Sequence, residues 1–82
     1  MTTDDGLEGR VRAVIGRTFG LGPSDLVGEL RMGGIPGWDS MGHMDLVVEL
    51  EKEFNMTLPT PRIAEIIDVP SICKTVRDAV RA

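Results

Sequence analysis

Residues 37–54 read GWDSMGHMDLVVELEKEF, and the pattern within this stretch decides the fold. Asp39 is a plausible N-cap and Ser40 the first helical residue, so the stretch predicts a helix over 39–54. At about 100° per residue, His43, Leu46, Val47, Leu50 and Phe54 share one face, the expected core side. Asp45, Glu49, Lys52 and Glu53 lie roughly opposite. Met41, Met44 and Val48, spaced by three and four, form a second apolar stripe at the border. That stripe is wider than packing in so small a chain requires.

Working outward, residues 20–38 read as a long glycine-rich loop. Leu21, Leu26, Leu30, Ile35 and Trp38 along it predict that it is pinned to the core, and Ser24–Asp25 suit a short helical turn. Loops of this length without regular structure are uncommon and often functional. Upstream, Leu7, Val11, Val14, Ile15 and Phe19 recur at helical spacing and predict a helix over 4–19. Asp4 and Asp5 suit its N-terminus, and Gly20 with Gly22–Pro23 its stop. Downstream, Thr60–Pro61 reads as an N-cap followed by a first-turn proline, opening a short helix through Ile63, Ile66 and Ile67. Pro70–Ser71 opens a last helix carrying Ile72, Val76, Ala79 and Val80, with Arg77 and Arg81 near its end. No segment shows strand alternation. The fold expected is all-α: a single domain over 1–82, a small four-helix bundle with a long loop after helix one and a short third helix.

Composition narrows the function. The chain has 82 residues and a net charge of −4. Nucleic-acid binding calls for a basic stripe to neutralise phosphates, which this sequence lacks. An acidic chain favours basic partner surfaces. Cys73 is the lone cysteine, so no intrachain disulfide forms, and its expected role is a buried structural thiol. The polar, acidic start MTTDDGLEGR is not a signal peptide, and no run approaches the roughly 20 apolar residues of a membrane span. The expected setting is the cytoplasm, without membrane contact.

Ser40 is the residue in question. A hydrolase elbow needs Gly-x-Ser-x-Gly after a strand; here the first spacing is wrong and no strand precedes it. His43 projects toward the core rather than toward Ser40, so no base is in place. One histidine, one cysteine and scattered carboxylates do not make zinc or calcium spacing. Gly33–Gly34 is not followed by a phosphate-loop lysine and reads as a turn. A plain helix cap is the simplest role for Ser40. Against it, a glycine-rich loop delivers the serine, Asp39 can take the cap, and an apolar and acidic surface follows at once.

Asp39-Ser40-Met41, Asp45-Leu46-Val47, Leu50-Glu51-Lys52-Glu53-Phe54 and Leu58-Pro59, taken in register, closely resemble the acyl carrier protein family. The resemblance runs from helix one to Val80. It implies that Ser40 carries a 4′-phosphopantetheine arm, placed there from coenzyme A by a phosphopantetheinyl transferase, whose thiol holds acyl groups as thioesters. Asp39 matches the family aspartate that contacts the transferase and its magnesium. The helix start suits the arm's phosphate, because free backbone N–H groups and the dipole favour an anion.

Partners would dock on helix two, at Met41, Met44 and Val48 with Asp45, Glu49 and Glu51. They would include the transferase, an acyl-loading enzyme and a ketosynthase or acyltransferase. The chain itself would be a non-catalytic monomer. Gly42 stands where many family members have an acidic residue, and Lys52 interrupts the acidic run. Residues 61–70 look more like carriers of polyketide pathways than like the primary fatty-acid carrier. The short chain predicts a free-standing carrier, and Asp-Ser-Met-Gly-His resembles carriers of unusual extenders such as glyceryl groups. A fatty-acid carrier, a D-alanyl carrier and, from another class, an unmodified helical interaction domain remain alternatives. A long acyl chain would enter near Leu46, Val47, Ile63 and Ile66; a small polar cargo would stay outside.

Overall fold

The computed structural model describes the backbone of residues 3–81 and the side chains of residues 6–79. The expected roles of Asp4, Asp5, Val80 and Arg81 side chains lie outside those described. Among the described residues the chain forms four α-helices: α1 (Thr3–Phe19), α2 (Ser40–Phe54), α3 (Thr60–Ile63) and α4 (Val69–Arg81). α1 packs against both α2 and α4. The all-α bundle expected from the sequence is the fold observed.

The core follows from the apolar stripes. Val11, Val14 and Ile15 of α1 meet Leu46, Val47 and Leu50 of α2 and Ile72 and Val76 of α4, all buried in one cluster. Cys73 is buried with them. α1 and α2 end by the same device. Gly20 takes a positive φ of 71° and lets Leu21 N–H reach back to Gly16 O at 2.8 Å. Asn55, at φ 50°, does the same for Met56 N–H and Glu51 O at 3.1 Å. A left-handed residue at this position satisfies carbonyls that the last turn leaves open.

Segment 20–38 is not free loop. Leu30, Ile35 and Trp38 are buried in the core. Pro23–Asp25 forms a 3₁₀ turn, where the sequence predicted a helical turn at Ser24–Asp25. Arg12 Nη1–H donates to Leu26 O at 2.8 Å, and Gly16 leaves room for the Leu26 side chain against α1. An antiparallel bridge pairs Arg31 with Asp68, and Met32 N–H donates to Ile67 O at 2.8 Å.

Two sequence expectations are corrected. Thr60 is the first residue of α3 rather than its cap; Pro59 holds the cap position with no side-chain bond. α3 also stops at Ile63, short of Ile66 and Ile67. The bridge to Arg31 and Met32 draws residues 67–68 into extended backbone, so the helix cannot continue. α4 then starts one residue before Pro70 through a reciprocal cap. Ser71 Oγ accepts the N–H groups of Ile67 (2.9 Å) and Asp68 (3.0 Å), while Asp68 Oδ1 accepts Ser71 N–H at 2.9 Å.

Ser71→Ala leaves two backbone donors without that acceptor. It is expected to cost about 1–2 kcal/mol, the usual scale for a lost cap, read as a lower urea midpoint at unchanged slope. An unchanged midpoint would show that water replaces the hydroxyl without loss.

Candidate functional site

The start of α2 is set by a line of buried polar contacts. Trp38 is fully buried, and its indole N–H donates to His43 Nδ1 at 3.0 Å. On the other side of the ring, His43 Nε2 lies 2.9 Å from Ile63 O. An indole only donates and a carbonyl only accepts, so Nδ1 is the bare nitrogen and Nε2 carries the proton. Phe19 stacks on Trp38 at 5.9 Å between ring centroids. His43 therefore ties the loop, α2 and the end of α3 together. Both its nitrogens are engaged, which leaves it no role as a base for Ser40, as its core-facing projection predicted.

Asp39 caps the helix. Its Oδ1 accepts Met41 N–H at 3.1 Å and Gly42 N–H at 3.0 Å. These bonds, Gly42's first, hold the Asp39 carboxyl below the usual carboxylate range. His43 N–H goes to Asp39 O at 2.8 Å. This corrects part of one expectation: two of the N–H groups that would have cradled a phosphate at the helix start, those of Met41 and Gly42, are already taken by Asp39. The helix dipole remains, with the Ser40 N–H as the donor left open in the first turn.

Ser40 is exposed, and its hydroxyl makes no hydrogen bond among the described residues. The cap is made by its neighbour, so the Ser40 Oγ is chemically unencumbered. Asp39 Oδ2 likewise accepts no hydrogen bond there. A covalent phosphodiester on Ser40 needs an accessible oxygen that the fold does not use, and the geometry fits that need.

Gly42 explains itself sterically. A Cβ at this position would overlap the Gly37 carbonyl oxygen and come within 3.1 Å of the Phe19 ring. Gly37 itself sits at φ 94°, which disfavours any side chain there. The loop is therefore pressed onto the first turn of α2 through two glycines, and an acidic residue at 42 has no room.

The expected docking residues separate into two sets. Met41, Met44 and Val48 are 85%, 49% and 45% exposed, so the border stripe is a surface and not core. Asp45 is exposed beside it and makes no ion pair among the described residues. A cleft of about 410 Å³ lined by Arg17, Thr18, Asp45, Val48 and Glu49 opens next to the stripe. Glu49, by contrast, pairs with Arg17 at 3.2 Å, and Glu53 pairs with Arg10 at 3.0 Å and Arg17 at 3.1 Å. Glu51 Oε2 accepts Leu58 N–H at 2.8 Å and so holds the turn after α2. Leu46, Val47 and Ile66 lie in the core and Ile63 packs against it. Arg10 and Arg17 were not singled out from the sequence; their three- to four-residue register on α1 with apolar neighbours gave no sign of which helix they face.

Among the described residues, no three His, Cys, Asp or Glu side chains converge as metal ligands, and no helix is long and apolar enough to cross a membrane. No family model matches the chain. Curated relatives do, two non-reducing polyketide synthases among them. The chain is 31% identical over 71 residues, 87% of its length, to the non-reducing polyketide synthase dbaI of Emericella nidulans. It is 28% identical over 74 residues, 90% of its length, to the non-reducing polyketide synthase pigA of Monascus ruber. It spans about 3% of the length of each. The similarity is thus to one short segment of much longer synthases.

Two outcomes follow from this geometry. Gly→Ala inside a helix normally stabilises by up to about 1 kcal/mol. Gly42→Ala is expected to reverse that sign and destabilise by about 1–3 kcal/mol, because the loop must move off α2; a gain in thermal midpoint would contradict the contact. The second concerns pH. Asp39 has its folded pKa depressed, so its stabilisation is present above the ordinary carboxylate range and is lost as pH falls through the depressed value. Asp39→Asn keeps a capping oxygen without the titration. The stability gap between the native chain and this variant should narrow on acidification, measured by urea melts across pH; a constant gap would remove Asp39 from the acid response.

Proposed function

We propose that this chain is an acyl carrier domain acting in polyketide synthesis, with Ser40 as the anchor of a 4′-phosphopantetheine arm. One observation carries the reading: Ser40 offers an exposed hydroxyl that the fold leaves unbonded, at the start of a helix capped by its neighbour Asp39. The likeness to segments of two polyketide synthases supports the pathway. In both relatives the matching segment is a small part of a longer chain, so the free-standing form finds no support there, and neither does a glyceryl-type extender. The domain, read as one unit over 1–82, is not itself an enzyme and works in the cytoplasm.

Loading is a phosphoryl transfer performed by a partner. The Ser40 Oγ attacks the phosphorus of coenzyme A that bears pantetheine, and a phosphoester forms. The pyrophosphate P–O bond breaks, 3′,5′-adenosine bisphosphate leaves, and the serine proton passes to a base on the transferase. Once attached, the arm supplies a thiol that carries acyl groups as thioesters. The chain's own contribution is presentation. Asp39 holds the first turn, and its free Oδ2 would be the oxygen offered to the transferase's magnesium. Trp38 and His43 fix the loop beneath it. Met41, Met44 and Val48, with Asp45 at their side, form the surface on which the transferase, a loading enzyme and a ketosynthase or acyltransferase dock. Flexible methionines suit a surface that meets several partners in turn.

Incubation with coenzyme A, magnesium and a broad-specificity phosphopantetheinyl transferase is expected to add one phosphopantetheine by intact mass. Ser40→Ala should take up none while keeping its helical circular dichroism. A folded native chain that several transferases leave unmodified would overturn the carrier reading and point to an unmodified interaction domain.

A further inference from the structure

A second cleft, of about 390 Å³, lies between the end of the long loop and the segment joining α3 to α4. Arg31, Met32, Gly33, Gly34, Ile67 and Asp68 line it. Its two walls are fastened to each other by the Arg31–Asp68 bridge and the Met32–Ile67 hydrogen bond. It is also close to the anchor: Gly33 N–H donates to Trp38 O at 3.0 Å, two residues before Ser40.

The lining is unusual in its charge. Arg31 and Asp68 sit opposite each other across an antiparallel bridge, where an ion pair would be expected. None forms. The Asp68 carboxylate instead accepts Ser71 N–H and caps α4. Arg31 is exposed and has no ion-pair partner among the described residues. Its stem lies along Gly34, where a side chain's Cβ would stand 3.4 Å from Arg31 Cγ and 3.9 Å from Nε. Two adjacent glycines thus keep this wall bare and leave the guanidinium lying over it. Ile67, 52% exposed, supplies an apolar face on the other side. A planar fork of donors beside bare backbone and one aliphatic side chain suits a short acyl group that ends in a carboxylate.

We infer that this cleft is a seat for the carried group, in which Arg31 pairs with a free carboxylate on the acyl cargo while Ile67 covers its carbon chain. The inference rests on the carrier reading of Ser40. The same guanidinium would also attract the arm's own phosphodiester, so the test separates the two anions.

The native chain and Arg31→Gln are loaded from malonyl-coenzyme A and, separately, from acetyl-coenzyme A by a transferase that accepts acyl forms; intact mass confirms each product. Proton–nitrogen correlation spectra are then compared. The expected result is a displacement of the Gly33 and Gly34 amide and Arg31 Nε signals in the malonyl form relative to the acetyl form, with the amide difference abolished in Arg31→Gln. Equal displacement in both loaded forms would assign the contact to the phosphodiester and overturn the cargo seat. So would a malonyl-specific displacement that survives Arg31→Gln. Loading without any displacement overturns this inference alone, whereas failure to load overturns the carrier reading as well.

Discussion

The buried line from the Trp38 indole through the His43 ring to the Ile63 carbonyl is the constraint on which the rest of the site depends. It joins the end of the long loop, α2 and the end of α3 through one buried ring. A buried polar group without a partner costs about 1–3 kcal/mol, so the three must move together or not at all. With Trp38 fixed, Gly37 is brought against Gly42, and Asp39 falls where its carboxylate meets the Met41 and Gly42 N–H groups in the first turn of α2. Ser40 is then left with nothing to do inside the fold. Its availability is a consequence of how completely its neighbours are engaged.

The electrostatics of α2 differ from what its sequence implies. Asp45, Glu49 and Glu53 look like one acidic face interrupted by Lys52, with Glu51 a further carboxylate of the helix. In the structure Arg10 and Arg17 reach across from α1 to hold Glu53 and Glu49, and Glu51 turns to the Leu58 amide. Arg17 and then Arg10 hold the Glu53 carboxyl below its ordinary range. Exposed ion pairs of this kind add little stability, but they cancel field. The exposed surface beside Ser40 therefore presents three apolar side chains and the carboxylate of Asp45, next to the capping carboxylate of Asp39. On the proposed carrier reading, a partner docking here would meet shape and apolar area before charge.

How much of this was legible in the sequence follows from which interactions are local. The helical stripes of α1 and α2, the Asp39 cap and the inward turn of His43 all arise from spacings of a few residues, and each stands as read. The Met41–Met44–Val48 stripe was legible as a face in excess of what packing needs. What escaped is long-range or bonded between side chain and backbone. The end of α3 carries no glycine or proline; it is set by residues 31 and 32 pairing with 67 and 68. The bond from Glu51 to Leu58 spans seven residues, and Arg17 to Glu49 spans 32. Asp68-x-x-Ser71 is a local capping pattern legible in the sequence, and it sets the start of α4 at Val69, one residue before Pro70. The steric reason for Gly42 needs the position of Gly37, which only the folded loop provides.

One histidine tautomer, clamped between Trp38 and Ile63, fixes the start of α2 on which Ser40 sits. Long-range proton–nitrogen correlation of the His43 ring at neutral pH tests it most directly. The expected result is a single tautomer with the proton on Nε2 and a bare Nδ1, together with a Trp38 indole proton that exchanges slowly with solvent. A ring protonated on Nδ1, or an indole proton lost at the rate of an exposed tryptophan, would contradict it.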